Sequence, residues 1–264
     1  MIYNEADEKQ IRKLLTGVAK NINIEIVEEI GSTNDELKLQ ASKGENEIKL
    51  LVAEYQTKGK GRTGRSFFSP ANSGCYMSFL LKPSYSAEEC TLLTTAAATA
   101  TAQAIEDIFG KKAQIKWVND IYMSRKKVAG ILTEASFKKD GSGVDYAIVG
   151  IGININPPEE GFPEEIKNIA TSLTDNLSSD IKNRLIAEVT NNFIYYYKNL
   201  STREFMDEYR HRLFFLGEEI TVIQANETFQ ATAIDIDSMC HLIVKTQSGE
   251  KKTLFGGEIS IKIN

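Results

Sequence analysis

The chain is poor in the residues that build disulfide frameworks and metal clusters. Its 264 residues include only three cysteines, five prolines, two histidines and one tryptophan. The cysteines, Cys75, Cys90 and Cys240, are odd in number and widely spaced, so the sequence predicts neither a disulfide framework nor a metal site. This usage is typical of a reducing compartment, and we expect a cytoplasmic protein.

Long apolar runs and an excess of positive charge are also missing. The longest low-charge stretch, residues 90–105, is too short to cross a bilayer. Residues 1–10 are polar and acidic, unlike a signal or transit peptide. The net charge of −5 lacks the basic bias of a strong nucleic-acid binder. We therefore expect no membrane association and no specific DNA binding.

The composition that is present predicts a globular α+β protein. Hydrophobic residues make up 42% of the chain and charged residues 25%, and at about 150 residues per domain the length predicts roughly two domains. Strand patterns run close together and helix patterns are few and long, which favours a mixed sheet backed by helices over regular βαβ winding. Strands are predicted at 24–30, 48–55, 74–82 and 145–155, with two more within 114–137 joined by a turn at 124–126.

The helices are placed by their apolar faces and capping signals. Residues 5–20 place Ile11, Leu14, Leu15 and Val18 on one helical face. Capping boxes are predicted where a Ser or Thr precedes a Glu by three residues. These pairs are Thr33 with Glu36, Ser86 with Glu89, and Ser201 with Glu204. Two late helices are expected at 180–199 and 202–213.

The pattern changes after Gly217. Five short β segments separated by turn residues follow, which predicts a small barrel of about 50 residues. We place the domain boundary so that residues 1–214 form one unit and residues 215–264 the other.

The loop at residues 56–65, QTKGKGRTGR, combines three glycines with four cations. Glycines let the backbone approach a ligand and expose N–H groups to an anion, and cations add charge-assisted bonds to phosphate or carboxylate. The loop is neither a P-loop nor a GxGxxG fingerprint. By composition alone, a solvated basic loop is the more common outcome.

Residues 115–135, IKWVNDIYMSRKKVAGILTEA, hold the only tryptophan, an Asn-Asp pair and several cations. The period of a strand places Lys127 on one face with Ala129 and Ile131, where a partly desolvated lysine would attract an anion. Gly130 removes a side chain where something approaches closely. Taken by itself, this segment is better explained as a plain hairpin with charged ends, because charged side chains usually lie at the surface.

Two further segments carry polar groups beside glycines. In VGIGININ, residues 149–156, glycines interrupt an apolar strand and Asn154 offers an amide. In GSTND, residues 31–35, a helix N-terminus presents free N–H groups that also suit a ligand. Packing glycines and a simple helix cap are the alternatives.

Taken in order, GSTN, EYQTKGKGRTGR, KWVNDIY with KVAGIL, and GIGININ resemble the motifs of biotin protein ligases. The resemblance covers roughly residues 24–156, and the tail, which contains GEIS, is similar to that family's SH3-like C-terminal domain. The family's loop usually reads GRGRxGR and its second motif KWPND. Lys60 keeps the charge of the arginine it replaces, whereas Val118 in place of proline could loosen the backbone before Asn119.

The resemblance implies a fold of the type shared by class II aminoacyl-tRNA synthetases and biotin ligases, and it implies roles for individual residues. Biotin would be bound by Ser32, Thr33, Asn34, Gln56, Lys60, Gly61, Arg62, Lys127 and Gly130. The nucleotide would be bound by Arg62, Arg65, Trp117, Asn119, Lys127 and Asn154. Lys127, Arg62 and Asp120 would be catalytic, with Asp120 either holding magnesium or orienting the acceptor lysine.

The implied activity is ATP-dependent biotinylation of a lysine on a biotin carboxyl carrier domain, through biotinyl-5′-AMP, with ATP, biotin and Mg²⁺ as cofactors. The implied assembly is a monomer or weak homodimer. A related lipoate or octanoate ligase is disfavoured by the GKGRTGR loop and KWVND. A repressor needs a helix-turn-helix domain, and about 23 residues precede the first core strand. A catalytically silent binding module is disfavoured because all four motifs are present.

Overall fold

A seven-stranded mixed sheet forms the centre of the computed structural model, which describes residues 5–141, 143–175, 178–224 and 227–261. The first two strands pair in parallel, and every other neighbouring pair in this sheet is antiparallel. The expected mixed sheet is therefore confirmed. In their spatial order the strands are β1 (Asn23–Ile30), β2 (Lys49–Gln56), β3 (Gly74–Leu81), β7 (Val144–Asn154), β6 (Lys126–Phe137), β5 (Asp120–Met123) and β4 (Gln114–Lys116).

Helices cover both faces of this sheet unequally. The alanine-rich α3 (Leu93–Phe109) packs with α4 (Ser179–Lys198) over one face, because its small side chains allow close approach of the two backbones. Of the helices, α2 (Thr33–Ser42) alone covers the opposite face, through Leu37 and Ala41. Among the described residues, no helix is long and apolar enough to cross a membrane. The helices are α1 (Glu8–Leu14), α2 (Thr33–Ser42), α3 (Leu93–Phe109), α4 (Ser179–Lys198) and α5 (Phe205–Arg212).

The face beneath α2 is only partly covered, and glycines occupy much of the rest. Cross-strand partners share a face, so Gly130 of β6 and Gly152 of β7, which pair directly, lie on the same side as Gly150. This part of the sheet offers backbone rather than side chains to whatever lies above it. It becomes the floor of the site described below.

The N-terminal helix is shorter than predicted. It ends at Leu14, because the backbone becomes extended at Leu15 (φ −70°, ψ 140°), and a 3₁₀ turn follows over Gly17–Asn21. Ile11 and Leu15 are buried as expected, but Leu14 and Val18 are 41% and 49% exposed. The prediction of one helical face over residues 5–20 is therefore wrong after Leu14.

Of the three predicted capping boxes, one is confirmed. Ser86 and Glu89 exchange both reciprocal bonds, from the Ser86 N–H to Glu89 Oε2 (3.0 Å) and from the Glu89 N–H to Ser86 Oγ (3.1 Å). Thr33 is the first helical residue of α2 and makes tertiary bonds instead. Glu204 caps α5 without a side-chain bond to its backbone and accepts from Tyr195. These two boxes are wrong because the side chains have partners elsewhere.

Residues 114–137 form three strands rather than the predicted two. Residues 117–119 leave the sheet between β4 and β5, and the Val118 carbonyl accepts a bond from the Tyr209 hydroxyl at 3.0 Å. The turn between β5 and β6 is confirmed, with Ser124 and Arg125 both at positive φ. The Val118 position, expected to loosen the backbone, is thus held from the α5 side.

The C-terminal residues form a separate antiparallel sheet. Its spatial order is β11 (Lys251–Leu254), β10 (Leu242–Thr246), β9 (Glu227–Ile236), β8 (Glu219–Gln224) and β12 (Glu258–Ile261). Within the described residues, β11 and β12 do not pair with each other, so the sheet stays open. The five predicted strands are confirmed, whereas the closed barrel is not found. A sheet this short twists without closing unless its edge strands meet.

Candidate active site

A cavity opens over the glycine-rich part of the large sheet. Its walls are the N-terminal turn of α2, the loop at residues 59–67, strands β4 to β7 and the start of β12. Asn154 is not in the wall: its amide donates to the Thr171 carbonyl at 3.3 Å. The wall contains the other predicted site residues: Ser32, Thr33, Asn34, Gln56, Lys60, Gly61, Arg62, Arg65, Trp117, Asn119, Asp120, Lys127 and Gly130.

One end of the cavity is a hydrogen-bonding network of neutral side chains that ends on the carboxylate of Glu134. The Thr33 hydroxyl lies 3.1 Å from Gln56 Oε1 and 2.6 Å from Ser78 Oγ, which in turn donates to Asn34 Oδ1 at 2.6 Å. Asn34 also donates to Glu134 at 2.8 Å. Thr33, Asn34 and Ser78 are buried and Gln56 is half-buried. Their fixed mutual orientation suits recognition of a small polar ring without a net charge.

Glycines let this network and the loop approach the sheet. A Cβ on Gly150 would lie 2.2 Å from Asn34 Oδ1, and one on Gly152 would lie 2.5 Å from the Phe67 ring. Any side chain at these positions would push α2 or the loop away from the floor. The prediction that glycines in the β7 segment mark close approach is confirmed, and the approaching groups are Asn34 and Phe67.

The glycine- and cation-rich loop forms a narrow hairpin over the cavity. Lys60 and Ser66 form an isolated antiparallel bridge, and the Gly61 N–H donates to the Arg65 carbonyl at 2.7 Å. The loop turns at Thr63 and Gly64, both with positive φ. Three of its four cations, Lys60, Arg62 and Arg65, line the cavity, and Lys60 and Arg65 also remain exposed to solvent.

Each cation of the loop that lines the cavity has a partner outside the loop. Lys60 pairs with Asp35 at 2.5 Å, which raises the pKa of the lysine. Arg62 donates to Asn119 Oδ1 at 2.9 Å and to the Gly257 carbonyl at 3.2 Å. Arg65 pairs with Glu258 at 2.9 Å. The loop is therefore fastened at one side to α2 and at the other to the C-terminal sheet.

Lys127 lies at the centre of the floor, on the face opposite to the predicted one. In the β5–β6 pairing, Tyr122 faces Lys127 while Ile121 faces Ala129, so Val128 is the extra residue of a β-bulge. The bulge reverses the alternation, and Lys127 shares a face with Gly130 instead of with Ala129 and Ile131. A Cβ on Gly130 would lie 3.0 Å from Lys127 Nζ.

Asp120 accompanies Lys127 in the floor. Lys127 Nζ lies 2.7 Å from Asp120 Oδ1, and both side chains are about a quarter exposed, at 29% and 24%. The backbone of Lys127 is fixed from the other side, where its N–H donates to the Ile169 carbonyl at 2.7 Å and its carbonyl accepts from Thr171 at 2.9 Å. The ammonium and the carboxylate thus form a fixed charge pair at the middle of the cavity.

Trp117 and Asn119 form the wall towards the C-terminal sheet. The Trp117 indole is buried and donates its N–H to the Cys240 carbonyl at 2.9 Å. Asn119 donates to the Ile131 carbonyl at 2.9 Å while accepting from Arg62. Asn119 therefore links the loop to the floor.

Sequence reasoning missed several cavity residues. Lys116 belongs to the same motif as Asn119 and Asp120, and its cationic side chain beside two polar groups was a usable signal. Phe67 follows the loop, while Gly257 and Glu258 belong to the GEIS segment of the tail. The last two could not be placed from the sequence, because nothing local shows that residue 258 meets residue 65.

The cavity contains neither a cysteine nor a ready-made metal cluster within the described residues. The three cysteines are free and buried, and burial raises the pKa of Cys75 to about 12. A thiolate nucleophile is thus strongly disfavoured there at neutral pH. The arrangement instead combines a neutral recognition end, a Lys–Asp pair and a cationic loop, which suits bringing two anions together.

Comparison with known proteins gives consistent matches over both parts of the chain. The family model described as "Biotin/lipoate A/B protein ligase family" matches residues 27–154, and that of the "Biotin protein ligase C terminal domain" matches residues 215–262. The bifunctional ligase/repressor BirA of Bacillus spizizenii is 34% identical over 236 residues, covering 88% of this chain and 72% of that protein.

Two further relatives match most of the length of both chains, and one of them is a solved structure. The biotin–[acetyl-CoA-carboxylase] ligase of Mycobacterium tuberculosis is 26% identical, covering 89% of this chain and 88% of that one. The biotin protein ligase of Aquifex aeolicus, solved in complex with biotin and ATP, superposes with a TM-score of 0.72 at 29% identity. That match covers 92% of this chain and 99% of the other.

Proposed function

This chain belongs to the biotin protein ligase family, and we propose that the cavity on its large sheet is where biotin is activated and transferred. The enzyme is a ligase that uses ATP to attach biotin to the carrier protein of a carboxylase. The observation that carries the site assignment is the Lys127–Asp120 pair, which lies between a neutral hydrogen-bonding end and a cationic loop in one cavity.

The neutral end is proposed to hold the ring system of biotin. Asn34, Ser78, Thr33 and Gln56 supply both donors and acceptors in fixed positions, and Gly150 leaves the floor bare beside them. The valerate chain would then run along the floor towards Gly130, so that its carboxylate meets the Lys127 ammonium.

The first step joins two anions. A carboxylate oxygen of biotin attacks the α-phosphorus of ATP, a P–O bond forms, and pyrophosphate leaves with the electron pair of the bond that breaks. Lys127 and Arg62 would stabilise the charge that builds on the phosphate oxygens, which favours the transition state over the ground state. Trp117 and Asn119 would adjoin the nucleotide. The loop excludes water from the resulting anhydride.

The cavity residues suit a Mg²⁺ ion that is bound mainly by the phosphates of the nucleotide and only partly by the protein. Such ions commonly take one or two protein carboxylates and complete their shell with phosphate oxygens and water. Asp120 is the carboxylate in the floor and would hold it, and the ion would neutralise phosphate charge. No protein cluster is needed for this mode of binding.

In the second step the amine of the carrier lysine attacks the biotinyl carbonyl, forming an amide and releasing AMP. The amine must lose a proton during this step. Asp120 lies beside the reacting position and would orient the neutral amine of the incoming lysine. The proton that the nitrogen loses as the amide forms would pass to the phosphate of the departing AMP or to solvent. No covalent intermediate with the enzyme is required.

We also propose that the chain is divided into two units with separate tasks. Residues 1–214 would form the catalytic unit and residues 215–264 a C-terminal unit that fastens the loop through Gly257 and Glu258. The protein would act in the cytoplasm, as a monomer or weak homodimer, without sequence-specific DNA binding.

The test is incubation with ATP, magnesium, labelled biotin and a biotin carboxyl carrier domain. We expect label on the carrier lysine only when both ATP and magnesium are present, and none when lipoate or octanoate replaces biotin. A folded enzyme that gives no label with a cognate carrier, or that transfers lipoate equally well, contradicts the proposal.

A further inference from the structure

Lys116 is a cavity cation without an ion-pair partner in the part of the chain that the structure describes. It lines the cavity from β4, and it has no hydrogen-bond or ion-pair partner among the described residues. Lys60, Arg65 and Lys127, in contrast, each face a carboxylate within 2.9 Å. An unpaired ammonium that is partly withdrawn from water attracts an anion more strongly than one that is already paired.

The register of the sheet directs Lys116 to the same side as the reacting groups. Lys116 faces Asp120, Asp120 faces Gly130, and Gly130 faces Gly152 in consecutive strand pairs. Residues directly opposite each other in neighbouring strands share a face, so these four form one row across the floor. With strands about 4.8 Å apart, Lys116 lies roughly 10 Å along this row from Gly130.

The side chain of Lys116 is partly withdrawn from water and lies among charges of both signs. Burial lowers its pKa, and the neighbouring Asp120 and Glu258 oppose that effect while Lys127 and Arg65 add to it. Its ammonium lies 5.9 Å from the centre of the Tyr122 ring, which supports the stem from one side. The side chain is thus held in place over the floor without a counter-ion.

From this placement, the geometry points to Lys116 as the residue that binds the leaving pyrophosphate, that is, the β and γ phosphates of ATP. The inference rests on the proposed function. Biotin's carboxylate and the α-phosphate meet at Lys127, and the polyphosphate continues along the row towards β4. Lys116 then stabilises negative charge on the departing group, whereas Lys127 acts on the oxygens that remain with the adenylate.

Separate assays of the two half-reactions distinguish pyrophosphate binding by Lys116 from a general effect of this residue on the cavity. Biotin-dependent ATP–pyrophosphate exchange needs the pyrophosphate site, whereas transfer from synthetic biotinyl-5′-AMP to the carrier domain does not. We expect Lys116→Met to raise the KM for pyrophosphate and for ATP about tenfold or more, as loss of a charge-assisted bond does. Transfer from the synthetic adenylate should stay within about twofold of the wild type.

Lys116→Met keeps the apolar stem, and Lys116→Arg keeps the charge, so the arginine variant should retain more of the pyrophosphate affinity. The control variant is Lys126→Met. Lys126 is an exposed lysine at the start of β6 and lies outside the cavity, so its replacement should leave the results of both assays unchanged. Urea unfolding midpoints verify that each variant is folded.

Three outcomes overturn the assignment. The first is a wild-type KM for pyrophosphate and ATP in Lys116→Met. The second is an equal loss of exchange and of transfer, which indicates a general effect on the floor. The third is a folded Lys116→Arg variant as defective as Lys116→Met, which shows that the charge is not what matters. Failure of the wild type in both assays instead contradicts the proposed function.

Discussion

In the proposed mechanism, Lys127 is the residue beside which negative charge builds up on the substrate. Its ammonium lies over Gly130 and is paired with Asp120, so it is oriented before any ligand arrives. A preorganised charge needs no rearrangement at the moment when negative charge concentrates on the phosphate oxygens. The position of Lys127 follows from the bulge at Val128, without which the side chain would point into the core towards α3.

Lys127→Met should lower biotin-dependent ATP–pyrophosphate exchange by about 10²–10³-fold, because one preorganised donor to the developing charge is lost. The methionine keeps the bulk of the stem, so the fold should survive. Lys127→Arg should rescue only partly, since a planar fork cannot replace a compact ammonium above Gly130. Exchange at the wild-type rate in Lys127→Met would show that this lysine merely ends a hairpin.

At the scale of elements, the site depends on how closely α2 approaches β7. The first turn of α2 places Thr33 and Asn34 above the sheet, and both direct their polar atoms downward to Gln56 and Ser78. This approach is possible because Gly150 has no side chain. The missing side chain in β7 therefore provides the space that Asn34 of α2 occupies. Neither segment shows this contact when its sequence is read alone.

The variant Gly150→Ala tests whether the close approach of α2 to β7 is needed for biotin binding. Its Cβ would lie 2.2 Å from Asn34 Oδ1, so Asn34 must move and loosen its bonds to Ser78 and Glu134. Disturbing such buried bonds costs on the order of 1–3 kcal/mol, and we expect the KM for biotin to rise about tenfold or more.

The matched control for that variant is Gly31→Ala. An added Cβ at Gly31 meets nothing within 4 Å, although the residue immediately precedes the cavity. Its KM for biotin should stay near the wild-type value. If both alanine variants bind biotin as the wild type does, the floor beneath Asn34 is not part of the biotin site.

At the scale of the whole molecule, a buried ion pair ties distant parts of the chain together behind the site. Lys182 of α4 is fully buried and bonds to Glu54 of β2, which also accepts from the Ala6 N–H at 2.7 Å. Neither side chain lines the cavity. The pair therefore joins the N-terminal segment, the sheet and α4 without taking part in the chemistry.

Lys182→Met should lower the free energy of unfolding by about 3–5 kcal/mol, because it leaves Glu54 charged and nearly buried without its partner. The double variant Glu54→Leu/Lys182→Met removes both charges and should recover most of that loss. Urea unfolding measures both values. A single variant as stable as the wild type would mean that Glu54 finds water or another donor.

Much of this protein follows from short-range sequence features. Alternating apolar strands and long amphipathic helices indicate the mixed sheet, and the Ser86–Glu89 box is satisfied within its own turn. The glycine- and cation-rich loop is conspicuous in composition, but its role follows from its place among the ordered motifs. Four ordered motifs also predict the family and its chemistry. These features depend on residues close in the chain, so local propensity and spacing are sufficient to reveal them.

The tertiary structure decided what depends on residues far apart in sequence. The bulge at Val128 sets the face of Lys127, and the row from Lys116 to Gly152 exists only through the register of four strands. The pairing of Arg65 with Glu258 joins residues 193 positions apart. A local pattern shows which face of a strand is apolar, but bulges and long-range pairing are fixed by packing across the folded sheet, so the pattern alone does not show which distant residues meet.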